Sequence, residues 1–133
     1  MNTFHKRFRL LSLSAAIALA SGTIFAADRT IVVLQSITGA GAFVGAPAVE
    51  GMKFAAEELN AKGFLGPDKI NVIVVDSASD RGQAMSAVNR YGNDPNVLAI
   101  LGPTTAPEAI PSAAIANELK VPMMACPTKI RYA

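Results

Sequence analysis

The sequence predicts an α/β fold built around a doubly wound parallel sheet. Three runs, at residues 30–34, 70–75 and 97–101, are mostly apolar and rich in β-branched residues, and they have the length of buried strands. A fourth, shorter run covers residues 121–125. Amphipathic segments with helical spacing separate these runs, so the order is β-α-β-α-β-α-β. This order is typical of parallel strands joined by right-handed crossovers, with helices on both faces of the sheet.

The first amphipathic segment predicts a helix from about residue 46 to residue 62. Its apolar residues recur at helical spacing, while charged residues take the other side. Pro47 is placed in the first helical turn, where a missing N–H is tolerated. Glu58 and Lys62 are an i,i+4 pair in the favourable orientation, and Gly63 is a natural helix stop.

Polar residues mark the starts of the next two helices. Asp80 is predicted to cap the second helix, with Gln83 at the position that completes a capping box. Thr105 is predicted to cap the third helix, with Glu108 in the corresponding position. Because a proline inside a helix removes a hydrogen bond, we expect the regular part of this third helix to begin only near Pro111.

The N-terminal segment, residues 1–26, has the three-part order of a secretory signal peptide. A basic part precedes an apolar part at residues 10–20 and a part with small residues at 21–26. The apolar part is shorter than the ~20 residues that a membrane helix needs, which disfavours a membrane span. We therefore expect cleavage after Ala26, export to the periplasm and a mature chain of residues 27–133.

The predicted leader also holds residues that would otherwise suggest other functions. It carries Lys6, Arg7 and Arg9, and subtracting these three cations takes the formal charge from +2 to −1. A nucleic-acid partner, which would need basic residues on the folded part, is therefore not expected. The leader includes His5, the only histidine. The mature chain thus offers no histidine as a general base or metal ligand, and we expect neither a metal nor a cofactor.

The single cysteine, Cys126, lies far from the leader. A lipoprotein would need a cysteine directly after the apolar part of the leader, so a lipid anchor is not expected. One cysteine cannot form an internal disulfide. We interpret Cys126 as a small buried residue near a strand end, since no histidine of the mature chain could activate its thiol.

Motifs in the first loop and first helix indicate a family. The first strand leads to a T-G-x-x-A loop at residues 38–42, and the helix contains the pattern G-x-x-x-A-x-x-x-x-N-x-x-G from Gly51 to Gly63. Three later segments agree with the same family in order and spacing: residues 75–80, 101–105 and 120–124. The chain resembles the type I periplasmic binding proteins of branched-chain amino acid ABC transporters over about residues 30–128. It would be an incomplete N-terminal lobe of that fold.

This resemblance implies a two-lobed protein that closes on a small polar solute, such as an amino acid, and delivers it to a membrane permease. It implies no enzymatic activity. In relatives that bind amino acids, the loop after the third strand binds the ligand carboxylate, the segment after the fourth strand adds further groups, and an aromatic residue of the first loop covers the ligand. Carried over to this sequence, these positions are Gly102, Thr104 and Thr105, then Pro127 and Thr128, and then Phe43 or Val44.

Thr105 has two interpretations. The serine of some relatives aligns with Ala106, so a hydroxyl at this site comes from Thr105 or is absent. Helix N-termini carry unpaired N–H groups and partial positive charge, so an anion at Thr104 and Thr105 would meet both. Alternatively, Thr105 only caps its helix, with its hydroxyl on the Glu108 amide. The two roles can coexist through the backbone N–H groups.

Four alternatives accompany this interpretation. Gly39, Gly41 and Gly45 resemble a dinucleotide-binding loop, but their spacing is one residue too long and no acidic residue stands ~20 positions further on. A P-loop is excluded because no Gly-Lys-Ser/Thr is present. Asp76 and Asp80 are candidate metal ligands, although solvation of a strand end and helix capping explain them better. Finally, the same fold serves as a ligand sensor for a receptor or regulator.

The end of the sequence also carries an expectation. A domain of this family is expected to continue past Ala133, so the sequence fits either a fragment of a longer protein or a truncated reading frame. We expect residues 27–133 alone to bind no solute tightly, because half of the cleft is absent. We also expect an exposed apolar sheet edge after the fourth strand.

Overall fold

The computed structural model describes residues 28–125. The predicted order of elements is confirmed. The predicted signal peptide, Cys126, Pro127 and Thr128 lie outside the described residues. The strands are β1 (Asp28–Gln35), β2 (Lys69–Asp76), β3 (Val97–Leu101) and β4 (Met123–Met124), and the helices are α1 (Ala42–Ala61), α2 (Arg81–Gly92) and α3 (Ala106–Leu119).

The four strands form one parallel sheet in the order β2-β1-β3-β4. β1 and β2 pair without interruption from Asp28 opposite Lys69 to Gln35 opposite Asp76. β2 lies on one side of β1 and β3 on the other, so the strand order reverses between β1 and β3. In open parallel sheets, ligands bind outside the carboxyl ends of the strands at such a reversal. A ligand site is therefore expected at the loops that follow β1 and β3.

One face of the sheet packs against α2 and α3. Val32, Leu34 and Ile100 are fully buried on this face. Ala84 and Val88 of α2 belong to the same cluster and are also fully buried. Burial of a side chain the size of valine or isoleucine contributes about 1.5–3 kcal/mol. This cluster holds β1 and β3 together directly below their carboxyl ends.

Helix α1 covers the other face of β1 and β2. Val33 of β1 and Val49 of α1 are buried there. Near the end of α1, the Asn60 side chain accepts a hydrogen bond from the Ile70 N–H at 2.8 Å and donates one to the Ile70 carbonyl at 2.9 Å. Helices thus lie on both faces, as a doubly wound sheet requires. Within residues 28–125, no helix is long and apolar enough to cross a membrane.

The start of α1 differs from the prediction. The helix begins at Ala42, so Pro47 lies in its interior and not in its first turn. The earlier start has a local cause, because the N–H groups of Val44 and Gly45 both donate to the Gly41 carbonyl at 3.0 Å. This turn is formed before the proline is reached. The missing N–H of Pro47 therefore does not set the start of the helix.

The start of α3 also differs from the prediction. We expected a regular helix only from near Pro111, but α3 begins at Ala106. Thr105 and Glu108 form the predicted capping box, which fixes the first turn before Pro111 is reached. The capping box therefore outweighs the hydrogen bond that Pro111 cannot donate.

Strand β4 is shorter than the predicted run at residues 121–125. It contains only Met123 and Met124. Pro122 has no N–H to donate, and it joins the sheet only through its carbonyl, which accepts from the Ile100 N–H at 2.9 Å. Met124 is 73% exposed at this side of the sheet. The exposed Met124 thus lies at the β4 edge of the sheet, where we expected exposed apolar residues.

Other local predictions are confirmed. The Asp80 side chain accepts a hydrogen bond from the Gln83 N–H at 2.7 Å and caps α2. The Lys62 ammonium donates to the Glu58 carboxylate at 2.6 Å on the exposed side of α1. Gly63 follows α1 with a φ of +61°, a conformation that glycine adopts without strain.

Candidate functional site

The loops after β1 and β3 are joined by buried polar side chains. The Thr104 hydroxyl donates to the Gln35 side-chain oxygen at 2.7 Å and accepts from the Ser36 N–H at 2.9 Å. The Gln35 amide nitrogen donates to the Leu101 carbonyl at 3.2 Å. Gln35, Ser36 and Thr104 are each at most 4% exposed. The two loops therefore form one rigid unit at the point where the strand order reverses.

Gly102 allows the loop after β3 to turn closely over β1. Its φ is +126°, and a Cβ at this position would lie only 1.7 Å from the Leu34 carbonyl oxygen. Its N–H donates to the Met124 carbonyl at 2.7 Å, which connects this loop to the end of β4. The backbone here requires glycine, because any side chain would collide with β1.

A groove of about 340 Å³ opens between α1 and the carboxyl ends of β1, β3 and β4. Its surface is mostly apolar, with polar groups from Gln35 and Thr104. Binding sites for small solutes commonly combine an apolar lining with a few polar groups. The lining residues are Gln35, Val44, Ala48, Met52, Leu101, Gly102, Pro103, Thr104 and Met124.

The structure brings together only part of the predicted site. Gly102, Thr104 and Val44 line the groove. Phe43 does not line it and is 69% exposed, so of the two candidates for the covering position only Val44 faces the groove. Thr105 is buried and does not line the groove either. The remaining two predicted residues, Pro127 and Thr128, lie outside the described residues.

The polar groups of Thr105 are committed to Glu108. The Thr105 N–H donates to the Glu108 carboxylate at 3.1 Å, and the Thr105 hydroxyl donates to the same carboxylate oxygen. Glu108 is fully buried. The sequence argument for an anion site counted on unpaired N–H groups at the start of α3, but an internal carboxylate already accepts one of them. Pro107, in the same turn, has no N–H to offer.

Asp76, at the end of β2, fastens the loop that follows β1. Its carboxylate accepts hydrogen bonds from the N–H groups of Ile37 at 2.9 Å, Thr38 at 3.2 Å and Ala78 at 2.8 Å, and from the Thr38 hydroxyl at 2.7 Å. Desolvation of Asp76 would raise its pKa, but the hydrogen bonds from Thr38, Ala78 and Ile37 outweigh this and hold the pKa below its usual value.

Sequence reasoning missed these loop contacts. Asp76 was assigned to a solvated strand end, whereas it accepts four hydrogen bonds from neighbouring loops. The predicted first strand ended at residue 34, whereas β1 extends to Gln35. The sequence does contain part of this information. Gln35 and Asp76 are polar residues at the carboxyl ends of buried strands, where a side chain can hydrogen-bond to the adjacent loops. Over residues 28–125, no group of three or more His, Cys, Asp or Glu side chains could hold a metal ion.

The fold and the joined loops define a class: an open parallel α/β lobe with a ligand groove at its topological reversal. The family model described as periplasmic binding protein matches residues 29–131, which is most of the chain. The chain belongs to the periplasmic binding protein family.

Curated relatives agree with this assignment. An amino acid binding protein of Pseudomonas aeruginosa is 30% identical over 115 residues, which cover 86% of this chain and 30% of that protein. The Leu/Ile/Val-binding protein homolog 7 of Brucella suis is 32% identical over 113 residues, covering 85% of this chain and 28% of that protein. This chain therefore spans less than a third of the length of these relatives. They are named as binding proteins, in line with the prediction that the chain is not an enzyme.

A solved structure shows the same fold. LivJ of Streptococcus pneumoniae, a branched-chain amino acid transporter substrate-binding protein crystallised with isoleucine, is 25% identical to this chain. It superposes with a TM-score of 0.70, over 76% of this chain and 29% of LivJ. The predicted α/β fold, as part of a type I periplasmic binding protein, is confirmed.

Proposed function

We propose that this chain is the N-terminal part of an extracytoplasmic solute-binding protein that captures a small amino acid for an ABC importer. The groove at the ends of β1, β3 and β4 is the single observation that carries the proposal. It lies where the strand order reverses, and Gln35 and Thr104 supply polar groups to an otherwise apolar surface.

An amino acid with an aliphatic side chain fits this groove best. Val44, Met52 and Leu101 provide apolar surface for such a side chain. The carboxylate end would approach the loop after β3 at Gly102 and Thr104, whereas the Thr105 N–H and hydroxyl are already held by Glu108. The names of the Brucella suis relative and of LivJ support the branched-chain class. The predicted residues Phe43, Pro127 and Thr128 remain part of this proposal as candidate solute-binding residues.

The proposed route begins with export. Residues 1–26 would serve as the signal peptide, with cleavage after Ala26, and the mature protein would act in the periplasm without a lipid anchor. A second lobe would close on the solute, and the closed protein would deliver it to a membrane permease. The alternative keeps the fold but couples the closed state to a receptor or regulator. A permease and an ATPase encoded beside this gene would favour transport over sensing.

Calorimetric titration of the complete protein tests the proposal. The panel comprises leucine, isoleucine and valine, with glutamate and lysine as charged amino acids for comparison. We expect micromolar or tighter binding of at least one branched-chain amino acid and at least about tenfold weaker binding of both charged ones, because a buried unpaired charge is costly. Absence of binding to every amino acid in the panel would refute the proposal.

A pair of variants tests the position of the site. Val44→Asp places a carboxylate inside the groove and is expected to weaken leucine binding at least about tenfold. Phe54→Asp is the matched control, since it places the same charge on the same helix at a side chain that is 68% exposed and outside the groove. It is expected to change the affinity less than about twofold. Equal effects of the two variants would place the solute elsewhere.

A further inference from the structure

Glu108 is a buried carboxylate at the centre of three loops. Its oxygens accept hydrogen bonds from the Thr105 N–H at 3.1 Å and from the Thr105 hydroxyl. They also accept from the Ser36 hydroxyl, at 3.3 and 3.1 Å. The Ser36 and Ser77 hydroxyl oxygens lie 3.3 Å apart. Because the Ser36 proton is directed to Glu108, Ser77 is the donor in this last pair, and one chain of hydrogen bonds joins the loops after β1, β2 and β3.

The burial of Glu108 makes these contacts obligatory. Its side chain is fully buried, and no cationic side chain among residues 28–125 pairs with it. A buried carboxylate without a cation is stabilised only by donated hydrogen bonds and by the partial positive charge of a helix N-terminus. Both are supplied by the loops themselves. If the loops moved apart, the buried carboxyl group would lose its hydrogen-bond partners, so its burial favours this arrangement of the loops.

The same contacts reach the groove through Ser36. The Ser36 hydroxyl is held by Glu108, and the Ser36 N–H donates to the Thr104 hydroxyl at 2.9 Å. Thr104 lines the groove. The loops also pack closely at Gly41, where a Cβ would lie 3.0 Å from the Ser36 Cβ and 3.2 Å from the Thr105 methyl. A shift of Ser36 would therefore displace Thr104.

We infer that Glu108 is a positioning residue of the solute site. It touches no solute itself. Its carboxylate fixes Ser36 and Thr105, and through Ser36 it fixes Thr104 at the groove. The inference deepens the proposed function and rests on it for the effect on solute binding, while the effect on the loops is independent of any solute.

The first measurement is amide hydrogen exchange in the complete protein without solute. In Glu108→Gln, the side chain keeps its size but loses its charge and one acceptor oxygen. We expect exchange of the Ser36 and Thr105 amides to become at least about tenfold faster, because the Thr105 N–H donates directly to this carboxyl group and the Ser36 N–H lies in the loop that it holds through the Ser36 hydroxyl. Val88→Ala, a core change in α2 that leaves every contact of Glu108 in place, is the control for a general loss of stability. It should speed the exchange of these two amides no more than that of a core amide such as Leu34, whereas Glu108→Gln should speed it selectively.

The second measurement is titration with leucine. Glu108→Gln is expected to weaken binding at least about tenfold. Ser112→Ala is the matched control: Ser112 lies one turn further along the same helix, is fully buried, and its hydroxyl makes no hydrogen bond with the described residues. Its replacement should leave the affinity unchanged. If Glu108→Gln does not fold, Thr105→Val tests the same contact. If both variants fold, the loss of leucine affinity in Glu108→Gln/Thr105→Val should be smaller than the product of the losses in the two single variants, because both remove one contact.

The outcomes separate the two proposals. Exchange and affinity in Glu108→Gln that match those in Val88→Ala would overturn the inference. Faster exchange with unchanged leucine affinity would overturn the role of Glu108 in the site. If the wild-type protein binds no branched-chain amino acid but the exchange result is as expected, the positioning of the loops by Glu108 is supported and the proposed solute is rejected.

Discussion

Two carboxylates hold the loops of this lobe, and they do so in different surroundings. Asp76 fastens the loop after β1 to the end of β2, and its side chain is half-buried. Glu108 fastens the loops after β1 and β3 to each other and is fully buried. Both accept backbone N–H and hydroxyl donors. Water can replace the donors of Asp76, but not those of Glu108, so the second connection is the more rigid one.

The difference follows the strand order. β1 and β2 pair over their full length up to Gln35 and Asp76. The pairing itself therefore already brings the loops that follow these two strands close together. β1 and β3 meet at the reversal, with a register shift between Thr30 and Ile31. The groove lies at this second junction, and the structure places its most deeply buried polar contacts there.

The largest expected effect is that of Gly102→Ala in the rigid loop. The new Cβ would lie 1.7 Å from the Leu34 carbonyl oxygen, and the φ of +126° is unfavourable for alanine. We expect the free energy of unfolding of the complete protein to fall by about 4 kcal/mol, measured by urea denaturation.

Gly39→Ala is the matched control in the loop held by Asp76. A Cβ there would lie 2.4 Å from the Ala78 carbonyl oxygen, in a surface turn that can shift. We expect a loss of about 2 kcal/mol. A larger loss for Gly39→Ala than for Gly102→Ala would reverse the comparison between the two loops.

The next effect is that of Asp76→Asn. The amide keeps one oxygen for the Ile37 and Ala78 N–H groups but cannot accept the Thr38 hydroxyl with its nitrogen. Because the site is partly solvated, we expect a loss of only about 1.5 kcal/mol in the free energy of unfolding. Asp80→Asn is the control, since asparagine caps a helix about as well as aspartate. A larger loss for Asp80→Asn than for Asp76→Asn would contradict the role of Asp76.

Acid should weaken the Asp76 connection selectively. The folded protein holds the pKa of Asp76 below its usual value of 3.8, so the ionised form stabilises the fold. This contribution is complete at pH values well above 3.8 and is lost as the pH falls through the lower pKa of the folded state. The difference in unfolding free energy between wild type and Asp76→Asn should stay constant from pH 7 to about pH 5 and shrink below the usual value. A difference that grows in acid would show the opposite sign of the pKa shift.

The sequence predicts the sheet better than it predicts the loops. Apolar runs such as 97–101 and capping signals such as Asp80 with Gln83 are local, and they agree with the structure. The contact between Ser36 and Glu108 joins residues 72 positions apart, and no local pattern reveals it. Local signals also conflict, as in α3, where Pro111 suggested a late start and the capping box determines an early one.

The solute site itself stays a prediction, although some of its predicted residues line the groove. Gly102 and Thr104 lie in the groove because parallel strands of known order end at the same edge. The orientation of the Thr105 hydroxyl depends on Glu108, which lies in the first turn of α3. The sequence pairs these two residues as a capping box, but it does not reveal that Ser36 shares the same carboxylate.

The smallest expected effect comes from a third carboxylate, Glu58, whose side chain is exposed at the surface. Glu58 accepts a hydrogen bond from Lys62 at 2.6 Å, with side chains 51% and 65% exposed. Lys62→Met should lower the free energy of unfolding by only about 0.3 kcal/mol, and 1 M salt should remove most of this difference. Urea denaturation at low and high salt measures it. The contributions of Glu58, Asp76 and Glu108 to the free energy of unfolding are then expected to increase with the burial of each carboxylate. A loss as large as that of Asp76→Asn would show that burial does not set their strength.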